Sequence, residues 1–130
     1  MTTATQVMAD SFHEARVLIV EDEPLLAWDL VEAVESAGGV VIGPAATVSE
    51  ALALVEASVL EAAILDVNLP DGDIGPVLES LREHVAVVIH SARSLPPEVS
   101  QRFPSVPFYL KPTPTEVLTT RLVLALRDRH

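Results

Sequence analysis

The chain has 130 residues, is 49% apolar and 21% charged, carries a formal net charge of −11 and contains no cysteine. That length fits one domain with a core large enough to stand without covalent staples, and the missing cysteines exclude disulfides and thiolate metal sites. The acidic balance argues against nucleic-acid binding, which needs a basic footprint, and no apolar run approaches the roughly 18 residues of a membrane span.

Residues 1–15 are polar and mixed, and read as a mobile N-terminal arm. They lack a basic patch followed by an apolar run, so no signal peptide is expected and a cytoplasmic location is favoured. The rest, 16–130, alternates between short apolar runs and helical patterns. Arg16-Val17-Leu18-Ile19-Val20 reads as a first strand, and Pro24 opens a helix whose stripe is Leu26, Leu30, Val34 and Ala37. Gly38-Gly39 ends that helix, and Val40-Val41-Ile42 forms a second strand closed by Gly43-Pro44. Thr47-Val48-Ser49-Glu50 has the capping-box pattern ahead of a second helix.

The third strand is Ala62-Ala63-Ile64-Leu65, and it delivers Asp66 to its carboxyl end before Pro70 and Gly72 break the run. A third helix is expected from about Ile74 to His84, and a fourth strand, Val85 to Ile89, hands over His90 and Ser91. Prolines at 96, 97 and 104 leave room for only a short fourth helix. Phe108-Tyr109-Leu110-Lys111 is a fifth strand, and Thr113-Pro114-Thr115-Glu116 is expected to cap a last helix.

Alternation repeated five times, with strands apolar on both faces, specifies an α/β domain with a buried parallel sheet. Right-handed crossovers bring every strand's carboxyl end to one edge, where ligands of open α/β sheets collect. That edge receives Glu21, Asp22, Asp66, Ser91 and Lys111. Crowded carboxylates raise one another's pKa unless a cation relieves them, and an all-oxygen set suits a hard ion such as Mg²⁺. The inventory fits a phosphoryl group beside a divalent cation, with one carboxylate as nucleophile.

Glu21-Asp22 after the first strand, Leu65-Asp66-Val67-Asn68-Leu69-Pro70-Asp71-Gly72 after the third, Ser91-Ala92 after the fourth and Lys111-Pro112 after the fifth resemble a response-regulator receiver domain of the CheY-like superfamily. The resemblance runs from about Ala15 to the C-terminus and implies a flavodoxin-like (βα)5 doubly wound sheet of order 2-1-3-4-5. It implies that Asp66 accepts a phosphoryl group from a histidine on a sensor kinase or phosphotransfer protein. Asp22, Asp66 and the backbone carbonyl of Asn68 would bind Mg²⁺, with Glu21 acting through metal-bound water. Ser91 and Lys111 would engage the phosphoryl oxygens, small Ala92 would leave the path open, and Ser91 with Phe108 would form the conformational switch. The lysine–proline bond is expected to be cis.

Three departures accompany the resemblance: the Pro-rich stretch in place of a regular fourth helix, Thr113 where an aromatic is common, and Arg93 beside the phosphoryl entrance. Arg93 is expected to alter phosphoryl lifetime. Trp28 and Leu25 lie off the apolar stripe of the first helix, where a partner could dock. His13, His84 and His130 show no metal spacing, and His90 beside Ser91 reads as a strand-end packing residue rather than a ligand.

The expectation is therefore a stand-alone, single-domain response regulator that signals through a partner protein, binds neither nucleic acid nor membrane, and allows a homodimer. It would be no conventional enzyme, beyond self-catalysed phosphotransfer and dephosphorylation. The alternatives are a degenerate receiver serving as a phosphorylation-independent binding module, a flavin- or nucleotide-binding protein, and a hydrolase with an Asp nucleophile. Glu21-Asp22-Glu23 would repel a phosphate after strand one, and Asn68 stands where the hydrolases carry a second acid.

Overall fold

A computed structural model of the chain describes residues 10–129. The elements follow the expected alternation: β1 Arg16–Val20, α1 Pro24–Ser36, β2 Val40–Ala45, α2 Val48–Ala57 and β3 Ala62–Leu65. A short antiparallel ribbon, Asn68–Leu69 against Gly72–Asp73, precedes α3 Gly75–Ser80. β4 Ala86–Ser91, α4 Pro97–Arg102, β5 Phe108–Leu110 and α5 Thr115–Arg127 complete the chain. The five main strands are parallel in the order 2-1-3-4-5. The fold is the flavodoxin-like, doubly wound α/β arrangement. Among the described residues no helix is long and apolar enough to cross a membrane.

Two cores follow from the strands' period of two. Val17, Ile19, Ala62, Ile64, Ala86 and Val88 point to one face, packed under Leu30 and Val34 of α1 and Leu118, Leu122 and Leu126 of α5. Leu18, Val20, Ala63, Leu65, Val87 and Ile89 point to the other, under Ala51 of α2, Val77 and Leu78 of α3 and Val99 of α4. Because both faces are covered, the central strands contain hardly a polar residue until they reach the carboxyl edge.

Helix ends obey local chemistry. Thr47 Oγ1 accepts from Glu50 N at 3.0 Å, while the Glu50 carboxylate accepts from Ala46 N at 2.8 Å, one residue before the capping position. Gly38 (φ 84°) turns the chain out of α1. Gly39 must lack a side chain, since a Cβ there would sit 2.6 Å from Val34 Cγ1.

Three expectations are corrected. Residues 10–15 are no arm: Phe12 is 1% exposed and packs with Val34 and Ala37, Phe12 N donates to Ala37 O, and Glu14 N donates to Gly38 O. The aromatic ring plugs the space beside the α1–β2 turn. Residues 1–9 lie outside the described residues.

α3 stops at Ser80 instead of reaching His84. Ser80 Oγ donates to Val77 O at 2.7 Å, a back-bond that competes with the helical ladder. Beyond it, Arg82, Glu83 and His84 are exposed and offer no apolar face to hold a further turn. α5 opens one residue late, because the Thr113 hydroxyl donates to Leu110 O at 2.6 Å instead of capping the helix. The short fourth helix is as expected.

Candidate functional site

The site forms where β1 and β3 run side by side, between connections that leave toward opposite faces of the sheet, the usual ligand crevice of doubly wound folds. Val20 pairs with Leu65, so the next residues, Glu21 and Asp66, emerge together. Their backbones are pinned: Asp66 N donates to Val20 O and Glu21 N donates to Ala45 O, each at 2.9 Å. From the far edge of the sheet, Lys111 N donates to Ser91 O at 2.8 Å, and the Lys111-Pro112 peptide is cis.

Lys111 reaches across to the two acids. Its Nζ lies 2.9 Å from Glu21 Oε1, 3.1 Å from Glu21 Oε2, 3.1 Å from Asp66 Oδ2 and 3.6 Å from Glu23 Oε1. The side chains of Glu21 and Asp66 are almost wholly buried, and that of Lys111 is 12% exposed. Glu21 Oε2 also accepts from Glu23 N at 3.1 Å, and Asp66 Oδ1 from Asn68 N at 3.4 Å.

Burial pushes the Glu21 carboxyl up to about 7, and the Lys111 and Glu23 hydrogen bonds only partly offset it. Burial would lower the Lys111 pKa, but the Glu21 and Asp66 bonds outweigh it, so the amine is held above its usual value and stays cationic.

Carboxylate oxygens of Glu21, Asp22 and Asp66 lie within 4.8 Å of one another, with Asp22 exposed on the open side. The donor set is all oxygen and anionic, and one member is strained toward protonation by burial. A small hard dication such as Mg²⁺ fits that chemistry, whereas a thiophilic metal does not.

The remaining expected residues are placed as follows. Ser91 ends β4 fully buried, with its Oγ accepting from Arg93 N at 3.3 Å. Asn68 is exposed at the start of the ribbon, and Ala92 and Arg93 are exposed beyond Ser91. Phe108 is half-buried opposite Ile89 and packs on the α2–α4 core, so it is not part of the carboxylate cluster. Leu25 and Trp28 are 84% and 64% exposed on α1.

Two residues escaped the sequence reading. Glu23 joins the Lys111 ion pairs, and Asp71 accepts from Val48 N at 2.7 Å and Ser49 N at 3.0 Å. A third acid directly after Glu21-Asp22 was the available signal for the first. Nothing local signals the second, whose partners are 23 and 22 residues away. His90 is 2% exposed with neither ring nitrogen hydrogen-bonded among the described residues; burial, then the Lys111 charge, holds its pKa below the usual value.

A doubly wound α/β domain with an acidic cluster and an invading lysine at its carboxyl edge is the architecture of a receiver. The family described as "Response regulator receiver domain" matches residues 17–121, and the chain belongs to it.

Among curated relatives, the phyllosphere-induced regulator PhyR of Methylorubrum extorquens is 47% identical over 60 residues, covering 45% of this chain and 22% of that protein. The transcriptional regulatory protein PdtaR of Mycobacterium tuberculosis is 34% identical over 82 residues, covering 62% of this chain and 40% of that protein. The matched stretch thus spans less than half the length of either relative. Among solved structures, the non-phosphorylated HemR receiver domain from Leptospira biflexa is 25% identical with a TM-score of 0.73, covering 86% of this chain and 94% of that one.

Proposed function

We propose that the chain is a phosphoacceptor response regulator of a two-component system, with Asp66 as the acceptor. The observation that carries this reading is the single ammonium of Lys111 bonded to both Glu21 and Asp66 beside exposed Asp22. A cation already poised against the nucleophile can pair with an incoming phosphoryl group without further ordering.

In the proposed reaction an Asp66 oxygen attacks the phosphorus of a phosphohistidine on a sensor kinase or phosphotransfer protein. The O–P bond forms as the P–N bond breaks, and the leaving imidazole nitrogen takes a proton. Asp22, Asp66 and the Asn68 carbonyl would hold Mg²⁺, with Glu21 bound through water. Mg²⁺ would neutralise charge on the transferring group.

Lys111 would exchange its bond to Asp66 for a phosphoryl oxygen. Ser91 would turn its hydroxyl from the Arg93 amide toward another, and Phe108 would follow as the packing around β4 and β5 adjusts. Hydrogen bonds to charged groups are worth about 1.5–3 kcal/mol each, enough to shift a modestly biased equilibrium. Exposed Leu25 and Trp28 on α1 are the proposed kinase contact. Output would pass to a partner protein in the cytoplasm.

Intact mass after incubation with acetyl phosphate and Mg²⁺, beside Asp66→Asn, tests the reading. One phosphoryl increment that needs Mg²⁺ and is absent from the variant is expected. No increment together with no Mg²⁺ binding would replace this reading with a phosphorylation-independent binding module.

A further inference from the structure

We infer that Asp71 is a positioning residue for the acceptor loop, setting the affinity of the carboxylate cluster for a divalent cation from outside it. The inference rests on the reading of Glu21, Asp22 and Asp66 as a Mg²⁺ site.

The ribbon that follows Asp66 has two residues per strand, Asn68–Leu69 and Gly72–Asp73. A hairpin that small has no stability of its own in water. Its base is anchored, since Val67, Leu69 and Ile74 are buried and Asp73 Oδ1 accepts from Gly75 N at 2.7 Å. Its tip, Pro70-Asp71, is exposed, and there Asp71 spends both carboxylate oxygens on the first amides of α2, at 2.7 Å to Val48 and 3.0 Å to Ser49. Those donors hold the Asp71 carboxyl below its usual range, so the tether is anionic at neutral pH.

The tether closes a ring. Asp66 N is bonded to Val20 O, Glu21 N to Ala45 O, and three residues past Ala45 the chain reaches Val48, bonded to Asp71. The loops after β1, β2 and β3 are thereby laced together around the carboxylates. Cutting the lace at Asp71 frees the exposed tip, Pro70-Asp71, and removes one restraint on the strand Asn68–Leu69 that carries the backbone carbonyl proposed as a ligand, while altering no cluster side chain. Groups that orient ligands from behind are worth about 10–100-fold in metal affinity.

The control lies on the same helix end. Thr47 Oγ1 caps α2 through Glu50 N and has no bond to the ribbon, so Thr47→Ala removes a cap from this helix end while keeping the Asp71 carboxylate and its two amide partners. Mg²⁺ would be titrated calorimetrically into wild type, Asp71→Ala, Asp71→Asn and Thr47→Ala, with thermal unfolding of each.

Asp71→Ala is expected to weaken Mg²⁺ binding about tenfold. Asp71→Asn, which keeps one acceptor oxygen, should fall between Asp71→Ala and wild type, and remains the test if Asp71→Ala does not fold. Thr47→Ala should bind Mg²⁺ as wild type does while melting earlier. Under acetyl phosphate the Asp71 variants should need more Mg²⁺ for half-maximal rate yet reach the wild-type plateau. Equal Mg²⁺ affinity in wild type and Asp71→Ala, or equal weakening by Asp71→Ala and Thr47→Ala, would overturn the inference alone. A wild type that binds no Mg²⁺ would overturn the inference together with the function it rests on.

Discussion

The ammonium of Lys111 sits 3.1 Å from Asp66 Oδ2, with the lysine at one edge of the sheet and the aspartate at its centre. The same ammonium holds Glu21 at 2.9 Å, so one cation is shared between two buried carboxylates. Removing one partner of a buried pair leaves uncompensated charge, which costs about 3–5 kcal/mol. Lys111→Met should therefore lose about 3 kcal/mol at pH 8 in denaturant unfolding. It should lose less at pH 5.5, where Glu21 takes up a proton, and Mg²⁺ should restore more stability to the variant than it adds to wild type.

Glu21 also sets a pH dependence. Its carboxyl is raised from 4.5 to about 7, so the folded state binds this proton more tightly than the unfolded chain does. The stabilisation is complete below about pH 4.5 and is lost as pH rises through about 7. Stability of wild type relative to Glu21→Gln should consequently decline between pH 5 and 8. Proton and metal compete for the same group, so Mg²⁺ affinity should rise through that window, and the rise should flatten in Glu21→Gln. A wild-type affinity that is level from pH 6 to 8 would contradict this.

Phe12 is 1% exposed among Val34, Ala37 and their neighbours. Phe12→Ala should cost about 3–5 kcal/mol, the range for truncating a buried aromatic. A surface-tail residue would cost almost nothing, so a chemical denaturation curve separates the two cleanly.

His90 is buried without a hydrogen-bond partner on either ring nitrogen among the described residues. Replacing an unpaired buried polar group with an apolar one of similar size is near neutral or stabilising. His90→Leu should leave the melting temperature unchanged or raise it by a few degrees, equivalent to about 1 kcal/mol. A clear fall would mean the imidazole has a partner in solution.

Much of this was legible in the chain. The strands announce themselves because both faces are buried, which leaves unbroken runs such as Ala62-Ala63-Ile64-Leu65 ending in one acid. The cap at Thr47 was readable because its partner is three residues away. The cluster could be assembled because parallel strands must end on one edge, so Glu21, Asp22, Asp66 and Lys111 meet for topological reasons.

What stayed hidden depends on distant partners. Phe12 is a single aromatic in a polar stretch, without period, and its burial is decided by the turn at Ala37-Gly38. The bonds from Asp71 to α2 span more than twenty residues, and Thr113 has the sequence of a cap while its hydroxyl goes to Leu110. Local patterns report local hydrogen bonds. They are silent where a side chain chooses a partner brought close only by the finished fold.

The two outer strands, β2 and β5, have a consequence for how copies of this domain meet. A free sheet edge is a template on which another chain can add a strand, and long flat edges are the usual start of aggregation. Here β5 has three residues, with Pro107 before it and Pro112 just beyond Lys111, and β2 carries Pro44 within its span. Proline has no amide hydrogen to donate, so neither border offers an unbroken row of donors. At high concentration the protein is guarded against edge-to-edge stacking on both sides of its sheet.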